Sequence, residues 1–168
     1  DLAVHYEFPG IAGLIAEGVA TRLAANVKTA RVMHPAIVSE WQFRTPQWNA
    51  LSTRDIAKAL GVDRVVFIDL QEYRLTPSGN RWLWEARCNA TIGIIEADGF
   101  EQDGFSDTYE IQVMFPRRPS VLAHDEAREA DIARGVLQEF IRETSWLFYM
   151  HQEPKHPDRY RPDLEVQG

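Results

Sequence analysis

The sequence predicts a two-layer α/β (α+β) sandwich, in which a mixed sheet carries its helices on one face. Three observations lead to this fold class. The stretch from Leu51 to Ala97 contains a capped helix, a short apolar strand and a long alternating strand. The turn dipeptide Asp98-Gly99 then returns the chain as the third strand of an antiparallel meander. Apolar residues recur at helical spacing up to Phe148, which predicts a long C-terminal helix.

The N-terminal part of the chain predicts a helix, a short strand and a helical turn. Apolar residues that recur every three or four positions indicate an amphipathic helix ending near Asn26, and these residues are Ile11, Leu14, Ile15, Val19 and Leu23. Residues 29–33 predict a short strand that His34-Pro35 ends. Residues 36–41 predict a helical turn that directs Ile37, Val38 and Trp41 inward. Residues 42–50 then predict an irregular crossing of the surface.

A helix and a strand with clear boundaries come next. Ser52 is suited to cap the helix N-terminus, and Gly61 is suited to end the helix in the left-handed conformation. The run Arg64–Leu70 is apolar on both faces, which predicts an interior strand covered from both sides. Its continuation, residues 71–75, turns polar and is expected to leave the core. Residues 76–80 supply a turn.

Residues 82–95 alternate with period two, which predicts one long strand with a single buried face. The apolar face comprises Trp82, Trp84, Ala86, Cys88, Ala90, Ile92 and Ile94. The opposite, solvent face carries Glu85, Arg87, Asn89 and Thr91. Because Cys88 lies on the apolar face, we interpret it as a core thiol and not as a reactive group. The returning strand, residues 105–115, places Tyr109, Ile111, Val113 and Phe115 on one face.

Residues 1–150 are predicted to form a single domain, since one domain usually spans roughly 100 to 200 residues. Residues 151–168 contain three prolines, mixed charges and few apolar side chains, so we expect an extended or disordered tail. Residues 1–6 are expected to be the end of a strand. Because the sequence begins with Asp1 and not with Met, we expect an upstream segment that would hold any signal peptide or lipid anchor.

Composition excludes several classes of function. The net charge of −7 and the lack of a basic face argue against a nucleic-acid partner. No apolar run approaches the roughly 20 residues of a membrane-spanning helix. The single cysteine excludes an internal disulfide but leaves the compartment open. A protein partner or a second copy of the chain is the expected ligand.

Signatures of catalysis and of metal binding are scarce. The chain has no glycine-rich phosphate loop, no nucleophile elbow and no pair of histidines at ligand spacing. Asp98, Asp103 and Asp107 lack the spacing of a calcium loop. We therefore predict no cofactor, no metal and no enzymatic activity. An alternative remains open, a small hydrolase or transferase with an acidic site around Asp69, Glu72 and Glu85, which would require these carboxylates to meet in a concave pocket.

Aromatic and charged residues near the predicted loops form the candidate interface. Tryptophan is frequent, and aromatic residues are enriched in protein interfaces, although packing beneath the loops would also account for them. The candidate interface residues are Trp48, Trp82, Glu85, Arg87, Arg117, Arg118 and Tyr160. An exposed strand edge is a further candidate, because its unpaired backbone accepts an added strand.

The segment from Asp55 to Val66 resembles a known family. Its central pattern is Ile-Ala-x-Ala-Leu-Gly-x-Asp-x-Val-Val. It is similar to the α/β domain of bacterial envelope proteins related to the N-terminal domain of the Tol-Pal translocation protein and to the curli secretion lipoprotein. Arg31–Val38 is similar to the second strand and following turn of that family, and the ending from Phe148 to Tyr160 resembles a planctomycete lipoprotein group. The resemblance covers roughly residues 8–150.

The resemblance implies a periplasmic or outer-membrane-associated location, assembly with partner proteins and no catalysis. The chain departs from the family in lacking a clear first strand and a lipid-accepting cysteine near its start. The expected function is thus a non-enzymatic cell-envelope module that binds or assembles within a larger complex.

Overall fold

A computed structural model of the protein describes residues 8, 10–99, 104–117 and 121–152. Four α-helices and five strands lie in these ranges, which confirms the predicted α/β fold class. In chain order they are α1 (Ile11–Asn26), α2 (Pro35–Arg44), a 3-10 turn (Trp48–Ala50), α3 (Thr53–Leu60), β1 (Arg64–Arg74), β2 (Leu83–Trp84), β3 (Ala86–Glu96), β4 (Asp107–Phe115), β5 (Leu122–Ala123) and α4 (Glu129–Trp146).

The main sheet has the strand order β1-β3-β4, and both of its pairings are antiparallel, as the predicted meander requires. β3 is the central strand, where Ile92 faces Ile68 of β1 and Tyr109 of β4. β2 and β5 form a separate two-stranded ladder. None of the described helices has the length and apolar composition that crossing a bilayer requires.

The core lies between the main sheet and the two long helices. α1 and α4 pack against each other, and α4 also packs on β3 and β4. The helices contribute Ile11, Ile15, Val19, Ile132, Val136 and Phe140 to the core, and β3 contributes Ala86, Cys88, Ala90 and Ile92. This face of β3 is the apolar face that the period-two pattern predicted. α1 ends at Asn26 as expected. α4 ends at Trp146, before Phe148, the last apolar residue of its predicted helical pattern.

α3 has the boundaries that its capping residues predict. The backbone N–H of Asp55 donates to Ser52 Oγ at 3.1 Å, and Gly61 ends the helix at φ 67°. The Thr53 hydroxyl donates to the Gly104 carbonyl at 3.1 Å, and Arg54 donates to the Gly99 carbonyl. α3 is therefore attached to the end of the sheet where β3 leads into β4.

The prediction that Arg64–Leu70 is an interior strand is wrong. β1 pairs only with β3 among the described residues, so it is an edge strand. Its second face is apolar because Phe67 packs against Phe105, with ring centroids 5.6 Å apart. The chain also does not leave the core after Leu70: β1 continues to Arg74 through a bulge between Leu70 and Glu72. Tyr73 beyond the bulge is buried.

Two predictions about the N-terminal part are also wrong. Residues 29–33 are not a strand, so the described strands all pair antiparallel and the sheet is not mixed. These residues precede α2 and pair with none of the described strands. α2 forms where a helical turn was expected, but it buries no side chain and leaves Ile37 52% exposed.

The predicted long strand is divided in two. The break falls at Glu85, whose N–H donates to the Leu75 carbonyl at 3.1 Å. Trp84 before the break is buried, but Trp82 is 79% exposed and does not belong to the apolar face. Residues 1–6, Asp103, Arg118 and most of the predicted tail, Tyr160 included, lie outside the described residues.

Candidate protein-binding face

The face of the sheet opposite α1 and α4 is polar over most of its length. Side chains that are paired across the strands point to the same face, so the register gives its composition. This open face carries Asp69, Glu72, Arg74, Arg87, Asn89, Thr91, Glu110, Gln112 and Met114. At its other end Phe105 lies over Gly93, which makes that end apolar. The solvent face predicted for Arg87, Asn89 and Thr91 is confirmed.

Four of these polar residues form a connected group with Glu85, which we call the charged cluster: Glu72, Arg74, Glu85, Arg87 and Asn89. Arg74 Nε donates to Glu72 at 2.7 Å, and Asn89 Nδ2 donates to the other oxygen of Glu72 at 2.6 Å. Arg74 also donates to Glu85 at 3.2 Å and to the Thr76 carbonyl at 2.7 Å. Arg87 Nε donates to Glu85 at 2.9 Å. The two carboxylates therefore share one arginine and each has a second donor.

Two irregularities of the backbone bring this cluster together. A strand alternates its faces, so without the bulge Glu72 would point with Leu70 into the core. The bulge moves Glu72 to the open face and Tyr73 to the core. The break between β2 and β3 places Glu85 beside Leu75, within reach of Arg74. The Glu85 side chain is only 16% exposed, because the two arginines cover it.

A second row of hydrogen bonds crosses all three strands next to the charged cluster. Gln71 Nε2 donates to Thr91 Oγ1 at 2.7 Å, and the Thr91 hydroxyl donates to Glu110 at 2.8 Å. Hydrogen bonds to carboxylates are stronger than neutral ones and hold side chains in one geometry. The polar side chains of this face are thus positioned before any partner arrives.

The arrangement bears on the alternative acidic site. Arg74 connects Glu72 and Glu85 by hydrogen bonds. Asp69 lies three residues before Glu72 in β1 and is exposed. Both glutamates accept hydrogen bonds from arginine on a face of the sheet. Among the described residues the three carboxylates of this alternative therefore do not meet in one hydrogen-bonded group.

Trp82 lies three residues before Glu85 and is the exposed aromatic residue nearest to it in the chain. Its backbone is fixed on both sides: its N–H donates to Asn80 Oδ1 at 2.9 Å, and its carbonyl accepts from the His124 N–H at 3.0 Å. Trp84, by contrast, stacks on His124 and donates its indole N–H to the Ala127 carbonyl at 3.0 Å. Trp82 is thus presented to solvent from a rigid backbone.

The other candidate interface residues are distributed over two places. Arg117 follows β4 at the sheet end that carries Ala86, because Phe115 is paired with Ala86. It pairs with Glu139 at 2.9 Å and with Glu143 of α4. A groove at this edge is lined by Gln112, Val113, Met114, Arg117 and Glu143. Trp48 is half-buried in the 3-10 turn before α3, at the opposite end of the sheet.

The single cysteine of the chain, Cys88, belongs to the core. Cys88 is fully buried, as predicted, and burial with the neighbouring Glu72 carboxylate raises its thiol pKa from 9.0 to about 12. Among the described residues no group of three His, Cys, Asp or Glu side chains comes together as a metal site would need.

Sequence reasoning named Glu85 and Arg87 but missed Arg74, which connects the cluster. Arg74 lies beyond the bulge, so the alternation of β1 gives the wrong face for it. The mixed polar run from Gln71 to Arg74 was the available signal. No protein-family model, curated protein or solved structure gives a significant match to this chain.

Proposed function

We propose that this chain is a non-enzymatic module of the bacterial cell envelope that binds a protein partner through the charged cluster and Trp82. Two observations carry the proposal: Trp82 is exposed three residues before Glu85 in the chain, and Glu85 is held by Arg74 and Arg87. Tryptophan and arginine are enriched among the residues that dominate binding energy in interfaces. A preformed charge network lowers the entropic cost of ordering those side chains on binding.

The location in the envelope rests on the motif around α3. The Ala-Leu-Gly-x-Asp pattern occupies the end of α3 and the start of β1, the setting in which the resembling family carries it. Residues 31–33 depart from the family, since they do not form a strand. A periplasmic or outer-membrane-associated module with a protein partner is the function that these observations support best.

A photochemical cross-link tests the binding surface. Trp82 is replaced by benzoylphenylalanine in the organism that makes the protein, and irradiation should give one adduct of defined mass in the envelope fraction. Phe43, which is 87% exposed on α2, is the matched control position and should give no discrete adduct. The partner is then identified from the adduct by mass spectrometry.

A second substitution makes this test specific for the charged cluster. Arg87→Ala should reduce the Trp82 adduct several-fold, because it removes a charge from the binding surface. Arg64→Ala removes an arginine of the same sheet that pairs with Glu96 at the far end, and it should leave the adduct unchanged. Equal adducts from positions 82 and 43, or no effect of Arg87→Ala, would contradict the proposed surface. An adduct found only in the cytoplasm would contradict the location.

A further inference from the structure

Among the described residues β4 pairs only with β3, so it is the second edge strand of the main sheet. It pairs with β3 over all nine of its residues, and no bulge interrupts the ladder. It contains no lysine and no proline, and Tyr109 and Met114 are both 39% exposed. Lysines, prolines and bulges are common means by which proteins prevent a free edge from pairing with another chain, and β4 has none of these; its charged residues are Asp107 and Glu110. β1, the other edge strand, has such a bulge.

The side chains of β4 are arranged so that an added strand would extend both faces of the sheet. Ile111 and Val113 point toward the helices, and Glu110 and Gln112 point to the open face. In an antiparallel pair, residues directly opposite each other share a face. A partner strand therefore needs apolar and polar residues at the same alternating positions.

We propose that β4 pairs antiparallel with β4 of a second copy of this chain, about a two-fold axis at Ile111. Ile111 is the midpoint of the strand, so this register pairs residues 108–114 of the two copies. It places Glu110 opposite Gln112 and Thr108 opposite Met114, so that no two carboxylates face each other. A register centred on Glu110 would oppose two identical charges, which is destabilising. The strand is thus complementary to itself.

The position of α4 is compatible with this pairing. α4 packs over both β4 and β3, so its axis lies near the boundary between these strands. Neighbouring strands are about 4.8 Å apart, which would bring the two α4 helices to about 10 Å from each other. This separation is close to the 8–10 Å of packed helices. Arg117, Glu139 and Glu143 line this edge with charges of both signs.

The pairing deepens the proposed assembly role and rests on it, because it names a second copy as one of the partners. It uses the outer edge of β4 and not the side chains of Trp82 and Arg87, although Arg87 is paired with Met114 of β4. The two proposals can therefore be tested separately, with substitutions in β4 for this one and the cross-link for the other.

Light scattering and sedimentation equilibrium of the purified chain over a range of concentrations test the pairing. The expected result is a monomer–dimer equilibrium between 19.3 kDa and twice that mass. Gln112→Glu should weaken the dimer roughly 2- to 30-fold, because it places two carboxylates opposite each other in both symmetric pairs. Gln112→Lys should strengthen the dimer by a similar factor, because lysine would face Glu110.

Gln47→Glu is the matched control, with the same charge change at an exposed position before the 3-10 turn, and it should leave dimerisation unchanged. Thermal melts establish that each variant is folded, and opposite effects of the two Gln112 substitutions cannot come from unfolding. A monomer at every concentration, or a dimer that ignores both Gln112 substitutions, would overturn the pairing. If the chain does not dimerise but the Trp82 adduct still depends on Arg87, the β4 pairing is wrong and the proposed function is supported.

Discussion

Cys88 and Tyr73 face each other across β3 and β1 on the buried side of the sheet. The pKa of the Tyr73 phenol rises from 10.0 to about 12. Burial is the main cause, and Cys88 and Glu129 make smaller contributions. The pKa of the Cys88 thiol rises to about 12 for the same main reason. In the unfolded chain both groups return toward their ordinary values. The folded state therefore holds two protons that the unfolded state loses in mildly alkaline solution.

These shifts predict how stability depends on pH. The stabilising effect is complete below pH 9.0, where the thiol is protonated in both states, and it is lost as the pH rises toward about 12. Each proton changes the free energy of unfolding by about 1.4 kcal/mol per pH unit in this window. Urea unfolding between pH 8 and 10.5 should show a decline that is smaller in Cys88→Ala and smallest in Cys88→Ala with Tyr73→Phe. Equal declines in all three proteins would contradict the burial of both groups.

The limits of sequence reasoning at this scale are visible in β1. Arg87 and Asn89 could be assigned to the open face because β3 alternates without interruption. Arg74 could not, since the bulge at Gln71 reverses the alternation, and the mixed polar run that follows Leu70 does not show where the reversal falls. The exposure of Trp82 could not be predicted either, because Trp82 continues the period-two pattern of the apolar face although it lies outside the strand.

At the scale of elements, close packing of α4 depends on a glycine. A Cβ atom at Gly135 would overlap the ring of Phe115, the last residue of β4. The helix can approach the sheet there because no side chain separates them. Gly13 in α1, by contrast, has open space around it.

These two glycines form a matched pair for substitution. Gly135→Ala should lower the free energy of unfolding by about 1–3 kcal/mol, since the overlap with Phe115 forces α4 or the ring to move. Gly13→Ala should raise it by about 0.5 kcal/mol, because alanine favours a helix and meets no obstacle. Chemical denaturation of both variants measures the two changes. Stabilisation by both substitutions would show that the close approach at Gly135 does not constrain the fold.

Elements with strong local signals could be predicted, and those defined by distant contacts could not. α3 was predictable because Ser52 and Gly61 determine its ends locally. β5 was missed, since a two-residue strand exists only through its pairing with Leu83 and Trp84. Residues 29–33 have strand-forming composition, but they pair with none of the described strands, and composition alone does not reveal this.

At the scale of the whole molecule, the described residues form one continuous hydrophobic core. Its buried members extend from Ile11 to Phe140, and Leu147 and Phe148 pack against it. The stack of His151 on Trp146, with ring centroids 4.1 Å apart, continues this packing just beyond α4. The composition of residues 153–168 offers little apolar area for burial.

Removal of residues 153–168 should therefore leave the melting temperature within about 2 °C, since substitutions and deletions that touch no packed feature change stability little. The same shortened chain should show the same monomer–dimer equilibrium, because the proposed contact lies at β4. Calorimetry and light scattering on both lengths measure these quantities. A dimer that dissociates on truncation would place the contact in the tail and not at β4.

The fold class could be predicted because it depends on periodicity, turn dipeptides and helix caps, which act within a few residues. The charged cluster depends on how three separate segments meet around Glu85 and Arg74, so only part of it could be predicted. The candidate partners depend on surface shape and strand order, which no local pattern encodes.

The bulge in β1 has a consequence for how the length of this strand can vary. Gln71 is the residue that the ladder skips between Leu70 and Glu72. A one-residue deletion elsewhere in a strand reverses every side chain beyond it, so that core and solvent positions are exchanged. Deletion of Gln71 would instead convert the bulge into a regular ladder and keep Tyr73 inside and Arg74 outside. At this position β1 can lose one residue while every other side chain of the strand keeps its face.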